Sequence, residues 1–245
     1  RKAIAATPWN DAEKAKEIGD QIWNRRNEFE VTLTPIKETI QYAKEISKGP
    51  VILADGSDNP GGGAPCDGTV ILQTFLEENV QDAVIAVIAD PESVQKAIEA
   101  GVGNEVQLEV GGKTDDKHGK PVPMLGVVHL ISDGCFVNKG PMGTGMKTNK
   151  GRTVVLKSSG VEVIITEKRV QVLDQELLKS VGITPADKKL IALKSSVHFR
   201  ADFESIAQKI FEVDTPGVHS PDLFQYDYKK LRRPIFPLDM LPTDI

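Results

Sequence analysis

Asp82-Ala83-Val84-Ile85-Ala86-Val87-Ile88-Ala89 is an apolar run without polar alternation. That is the pattern of a strand buried on both faces, and hence of a parallel sheet covered by helices. On its C-terminal side, Asp90-Pro91 has the form of a helix N-cap followed by proline at the first helical position, and Gly101 supplies the stop. On its N-terminal side, Thr69 to Glu78 reads as a helix and Val51 to Ala54 as a second buried strand. The order strand, helix, strand, helix predicts parallel pairing through a right-handed crossover.

Further out, Val106 to Val110, Val122 to Ile131, Arg152 to Lys157 and Val161 to Lys168 are β-rich and separated by glycine-containing turns, with Ser158-Ser159-Gly160 as a hairpin turn. The fold class expected is therefore α/β: a mixed sheet with parallel βαβ units and an attached antiparallel β-rich layer at 105–172. Lys189 to Lys194 adds another apolar strand, followed by a helix over 201–211 and a strand near Phe211 to Asp214. From Pro216 the prolines predict an extended surface tail. At the other end, Thr7-Pro8 and Thr34-Pro35 both carry the helix-start signal. Ala12, Ala15, Ile18 and Ile22 line a first amphipathic helix, and Ile36, Ile40 and Ala43 a second that stops at Gly49-Pro50. Residues 1–48 are read as a helical lead-in and 49–245 as the main domain. The chain opens at Arg1 rather than Met, which suggests the C-terminal piece of a longer or processed protein.

At 245 residues, with 40% apolar and 27% charged side chains, the chain has the composition of an ordinary globular protein. Its net charge of −5 argues against a general nucleic-acid binder, and no apolar run reaches the ~20 residues of a membrane span. Two cysteines, Cys66 and Cys135, cannot build a disulfide framework or a four-cysteine zinc site, which points to reduced thiols and a cytoplasmic location. Association into a homo-oligomer stays open.

Between the first strand and its helix lies Asp55-Gly56-Ser57-Asp58-Asn59-Pro60-Gly61-Gly62-Gly63-Ala64-Pro65-Cys66-Asp67-Gly68. Consecutive glycines can bring backbone N–H groups close to a ligand, and a helix start favours anions. Three carboxylates in the same loop make a cation equally conceivable. The loop lacks the Gly-Lys-Ser/Thr ending of a Walker loop and the third glycine of a dinucleotide fingerprint. The plain alternative is a rigid turn with Asp67 as N-cap.

Of the four histidines, His129 lies in an apolar β-run and reads as a core residue, His118 as solvated in a polar loop, and His219 carries no signal. No closely spaced histidine pair of the zinc-binding kind is present, so no metal ligand is assigned in this chain. His198 and Arg200 follow the C-terminal end of an apolar strand, where open α/β sheets bind ligands. They could polarise a carbonyl or hold a carboxylate, or His198 could cap the following helix. Cys66 at a helix start could be a nucleophile, but Asp67 beside it opposes a thiolate. Gly140 to Met146 could be a lid or a long β-connection, and Arg232-Arg233 a surface pair.

The loop Asp55 to Asp67, the block Lys194 to Arg200 and the ending Arg232-Arg233-Pro234-Ile235-Phe236-Pro237-Leu238-Asp239 together resemble the C-terminal domain of the MlrC (microcystinase C) metallopeptidase family. Gly111-Gly112-Lys113, Ser132-Asp133-Gly134, Gly140-Pro141-Met142 and Val213-Asp214-Thr215-Pro216-Gly217 are similar too, in the same order. The resemblance implies a protein about twice as long, with an N-terminal metal-binding domain that carries the zinc ligands as its partner. The activity it implies is zinc-dependent hydrolysis of a small peptide or amide substrate, with the isolated chain inactive. On that reading Asp55, Asp58 and His198 serve catalysis. Asn59, Gly61, Gly62, Gly63 and Arg200 bind substrate, with the N–H groups of Gly61 to Gly63 cradling an oxyanion or a carboxylate. The sequence departs from the family loop at Cys66, where glycine is expected. The competing expectation is a non-catalytic domain for small-anion binding or assembly.

Overall fold

The computed structural model describes residues 11–239 and divides into two compact units, one ending at Thr32 and one spanning Leu33–Ile245. The Thr7-Pro8 helix start lies outside the described residues. In the first unit, α1 (Asp11–Asn24) leaves Ile18 and Ile22, on its expected apolar stripe, exposed.

In the larger unit, β1 (Val51–Ala54) and β2 (Ala83–Ala89) are the buried parallel strands expected, joined through α3 (Val70–Glu77) and followed by α4 (Pro91–Ala100). The Asp90 side chain accepts from the Ser93 N–H at 3.1 Å, so the predicted cap forms, and Gly101 ends the helix at φ 82°. Strands β3 (Glu105–Val110), β4 (Val122–Ser132), β7 (Thr153–Ser158) and β8 (Val161–Thr166) pair antiparallel, each with the next, in the order β3-β4-β7-β8. A separate hairpin pairs β5 (Cys135–Val137) with β6 (Lys147–Asn149). After α5 (Glu176–Lys179) come β9 (Leu190–Leu193), α6 (Arg200–Phe203) and β10 (Lys209–Glu212).

The main sheet has eight strands in the order β10-β1-β9-β2-β8-β7-β4-β3. The parallel part, β10 to β8, and the antiparallel part are one continuous sheet, because β8 pairs parallel with β2 on one edge and antiparallel with β7 on the other. β1 and β2 run parallel but are not neighbours: β9 inserts between them. One face packs on α2 (Ile36–Glu45), α3 and α4 through Ile40, Phe75 and Val94. The other is covered by Leu177, Leu178, Phe199 and Phe203. Burial on both faces explains why β1, β2 and β9 are apolar at every position. Helix α2, grouped with the lead-in on sequence grounds, contributes Ile36, Ile40 and Ala43 to this core.

Two sequence expectations are corrected here. The helix expected over 201–211 is only the short α6, because Gln208 turns its N–H to the Pro50 carbonyl (2.9 Å) and the chain enters β10 beside β1. His129 is exposed rather than in the core: along β4, Val122, Met124, Gly126 and Val128 point inward, which sends odd-numbered residues outward. The Gly140 to Met146 segment is the connection between β5 and β6, pinned where the Lys139 and Gly140 N–H groups both reach Asp174 Oδ2 at 2.7 Å.

Lys150, next to the β5–β6 hairpin, is fully buried. Its ammonium lies 2.8 Å from Ser180 Oγ and 4.8 Å from the centre of the Phe136 ring. Burial lowers its pKa from 10.5 to about 8, with Asp133 and Cys135 opposing only in part. The folded pKa is below the unfolded one, so the unfolded chain holds more protons between these values and stability rises with pH there. Lys150→Met is expected to remove that rise and to stabilise the protein near neutral pH by about 1–3 kcal/mol. Urea unfolding across the alkaline range checks both.

Candidate functional site

The parallel strands β10, β1 and β9 end in register, with Ala54 beside both Leu193 and Glu212. The residues that follow them, Asp55, Lys194 and Thr215, therefore converge at the carboxyl edge of the sheet, where α/β proteins place their sites. All three are buried. Lys194 Nζ lies 3.0 Å from Asp55 Oδ2 and 2.9 Å from Asp58 Oδ2. Burial opposes the lysine charge, but the Coulombic pull of Asp55 and Asp58 outweighs it and holds the ammonium above the ordinary lysine range. Thr215 Oγ1 donates to Asp55 Oδ1 at 2.6 Å, and the Asp58 N–H reaches the same oxygen at 3.2 Å.

Asp58 folds the glycine loop around itself. Its Oδ1 accepts the Cys66 N–H at 2.7 Å and its Oδ2 the Gly68 N–H at 2.6 Å. Every carboxylate oxygen of Asp55 and Asp58 is thus engaged by the protein. Cys66 has φ 66°, in the left-handed region that favours glycine. That accounts for the expectation of glycine at this position.

The expected oxyanion cradle is not formed. The Gly61 N–H donates to Asn59 Oδ1 (3.0 Å), the Gly62 N–H to the Asn59 carbonyl (3.0 Å) and the Gly63 N–H to the Pro60 carbonyl (3.1 Å). A short 3-10 turn over Pro60–Gly62 consumes these donors, with Asn59 as its cap. What the loop presents outward is bare glycine surface, since Gly61, Gly62 and Gly63 are exposed.

Polar side chains surround this tip. Gln171 packs against Gly61 and His219 against Gly62 so closely that a Cβ on either glycine would fall within 2.5 Å or 2.1 Å of them. His198, exposed, has Nδ1 2.8 Å from Gln171 Nε2. Asn59 is buried and its Nδ2 donates to Ser196 Oγ at 3.2 Å. Arg200 is turned away to Glu212, 2.8 Å from its guanidinium, and does not join this group in the structure.

Three further readings change. Asp67 is not the helix cap: its Oδ2 accepts from the Lys113 and Thr114 N–H groups (3.0 and 2.9 Å), tying the loop to the β3–β4 connection. His118 is buried rather than solvated. Its Nε2 accepts the Val218 N–H at 3.2 Å, and its Nδ1 therefore carries the proton, 2.8 Å from Asp115 Oδ1. His219, silent in the sequence, is held at the loop by its N–H to the Ser57 carbonyl (3.1 Å) and its Nδ1 to the Gly56 carbonyl (3.0 Å). Its only sequence cue was a Pro/Gly-rich tail. Lys194 could have been found from charge balance, as a lysine ending an apolar strand opposite a loop with several aspartates.

Cys66 is fully buried, and burial followed by the Asp58 charge pushes its thiol up to about 12. Cys135 is exposed. A mildly alkaline alkylating reagent is expected to modify Cys135 alone in the native protein and both thiols after denaturation, read by intact mass. Among the described residues, no group of three or more His, Cys, Asp or Glu side chains is placed to hold a metal ion. A zinc ion does not fit the donors that the described residues offer.

Residues 53–230 match the family model described as MlrC C-terminus. The chain is 32% identical over 200 residues to Microcystinase C from a Sphingomonas species, covering 82% of this chain and 38% of that protein. Its fold superposes, at a TM-score of 0.81 and 28% identity, on the crystal structure at 2.13 Å of a protein from Mesorhizobium sp. BNC1 inferred to be a metallopeptidase. That match covers 92% of this chain and 45% of the other. The chain belongs to the MlrC C-terminal family. It spans less than half the length of both relatives. No helix among the described residues is long and apolar enough to cross a membrane.

Proposed function

We propose that this chain is the C-terminal part of a zinc-dependent peptidase or amidase of the microcystinase C kind, and that the face bearing Gly61 to Gly63, His198 and His219 forms one wall of its substrate cleft. The observation that carries this reading is a glycine loop clamped from below by Asp55, Asp58 and Lys194, with its exposed tip ringed by polar side chains at the carboxyl edge of a parallel sheet. The Mesorhizobium protein is inferred to be a metallopeptidase, and both it and Microcystinase C are much longer than this chain, which supports placing the zinc ligands in a separate metal-binding domain. A zinc ion held there would supply carbonyl polarisation and an activated water.

Within this chain, Asp55 and Asp58 act as positioning residues, since their oxygens are spent on holding the loop. Asn59 fixes the turn from beneath, and His198 meets the substrate. Arg200, paired with Glu212, steadies the segment that carries His198. The bare glycine surface lets an extended peptide backbone lie against the loop without side-chain hindrance. Two unpaired cysteines support a reducing, cytoplasmic setting. Against the rival reading, small-anion binding by the loop, the N–H groups of Gly61 to Gly63 that would serve it are already engaged.

The test is hydrolysis of linear peptides by the full-length natural polypeptide, followed by mass spectrometry with and without a chelator. Cleavage that stops on chelation and returns with zinc is expected. Absence of cleavage of any linear peptide or amide by the metal-loaded protein would refute the reading.

A further inference from the structure

His198 and His219 flank the tip of the glycine loop, one through Gln171 at Gly61 and the other directly at Gly62. The surrounding hydrogen bonds fix which ring nitrogen of each carries the proton. Asn59 Oδ1 accepts the Gly61 N–H at 3.0 Å and is 3.4 Å from the Gln171 amide, so the Gln171 atom facing it is the donor Nε2. The same Nε2 is 2.8 Å from His198 Nδ1. His198 Nδ1 therefore accepts, and its proton sits on Nε2. At His219 the opposite holds. The Gly56 carbonyl can only accept, so Nδ1, 3.0 Å away, carries a proton, and in the neutral ring Nε2 is the bare acceptor. Nε2 is also the atom nearest the loop tip after Cδ2, 2.3 Å from where a Gly62 Cβ would stand.

The loop tip is thus bracketed by one ring that offers an N–H and one that offers a lone pair. A trans peptide bond points its carbonyl and its N–H to opposite sides of the chain. We propose that the two imidazoles together read a backbone amide of the bound ligand, His198 Nε2–H donating to its carbonyl oxygen and His219 Nε2 accepting from its N–H. This rests on the peptidase reading of the site and narrows its ligand to one that carries a secondary amide. Esters and tertiary amides lack the proton that His219 requires.

The test uses the protein labelled with nitrogen-15 at histidine. Long-range proton–nitrogen spectra report the tautomers directly, and titrations with acetylated trialanine and with the acetylated lactic acid trimer compare ligands with and without amide N–H groups. The expected result is His198 protonated at Nε2 and His219 at Nδ1. The peptide should shift both Nε2 signals and the ester only that of His198, with the peptide binding about three- to tenfold tighter. In His219→Phe that preference should vanish. His219 carrying its proton on Nε2, a peptide that leaves either ring unmoved, or an ester that shifts His219 equally would overturn the proposal. The expected pattern in a protein whose full-length form cleaves nothing would remove the peptidase reading and leave the amide reader standing. Cleavage without the pattern would do the reverse.

Discussion

Replacing Lys194 by methionine is expected to destabilise the protein by about 3–5 kcal/mol, as removal of one partner from a buried ion pair does. Methionine keeps the unbranched shape but leaves Asp55 and Asp58, 3% and 1% exposed, with no cation between them. Asp58 also holds the Cys66 and Gly68 N–H groups, so the repulsion acts on the loop backbone itself. The folded lysine pKa is raised, which makes the Lys194 contribution fully present below the ordinary lysine value of 10.5 and lost only as pH climbs through the higher folded value. The difference between wild type and variant should therefore be constant across the neutral range. Adding Asp55→Asn and Asp58→Asn to the variant should recover part of the loss. Urea unfolding of the three proteins measures this, and a Lys194→Met midpoint equal to wild type would rule out the clamp.

Gly217→Val is expected to cost about 3 kcal/mol and to abolish turnover in the full-length enzyme. A Cβ at Gly217 would stand 2.4 Å from the Ser57 carbonyl oxygen and 2.9 Å from His118 Cδ2. Neither neighbour can yield cheaply: one is backbone at the base of the loop and the other a buried ring. The tail would lift, breaking the Val218 N–H bond to His118 and the His219 N–H bond to Ser57. Buried His118 would then lack a donor for Nε2, and His219 would leave the glycine tip. Thermal unfolding and peptide turnover, measured on one preparation, separate the two effects. Wild-type turnover in the variant would show that the tail's grip on the loop is irrelevant.

The parallel part of the fold was legible because burial on both faces leaves a plain mark, as in the unbroken apolar runs of β1, β2 and β9. The antiparallel strands and the Ser158-Ser159-Gly160 turn were legible for a related reason: Ser159 and Gly160 both adopt positive φ, as such a turn needs. What sequence order does not encode is the insertion of β9 between β1 and β2, which is decided by contacts more than a hundred residues apart. The site followed the same division. The glycine loop, Asp55, Asp58 and His198 could be picked out by residue type and position. Asp67 and His118 were misread because their partners, the Lys113–Thr114 backbone and Val218, come from distant segments. The cradle expected at Gly61 to Gly63 failed for a local reason: Asn59-Pro60 closes a turn that takes the same N–H groups.

If the glycine tip faces the substrate, Gly62→Val in the full-length polypeptide should block turnover. A Cβ there would stand 2.1 Å from the His219 ring, so the ring must move and the open surface is lost, while the clamp beneath the loop is untouched. The measurement is peptide turnover alongside metal content and unfolding midpoint. Turnover is expected to fall at least a hundredfold, about 3 kcal/mol of transition-state binding, with wild-type zinc content and stability. Wild-type turnover in a folded, zinc-loaded Gly62→Val enzyme would contradict it.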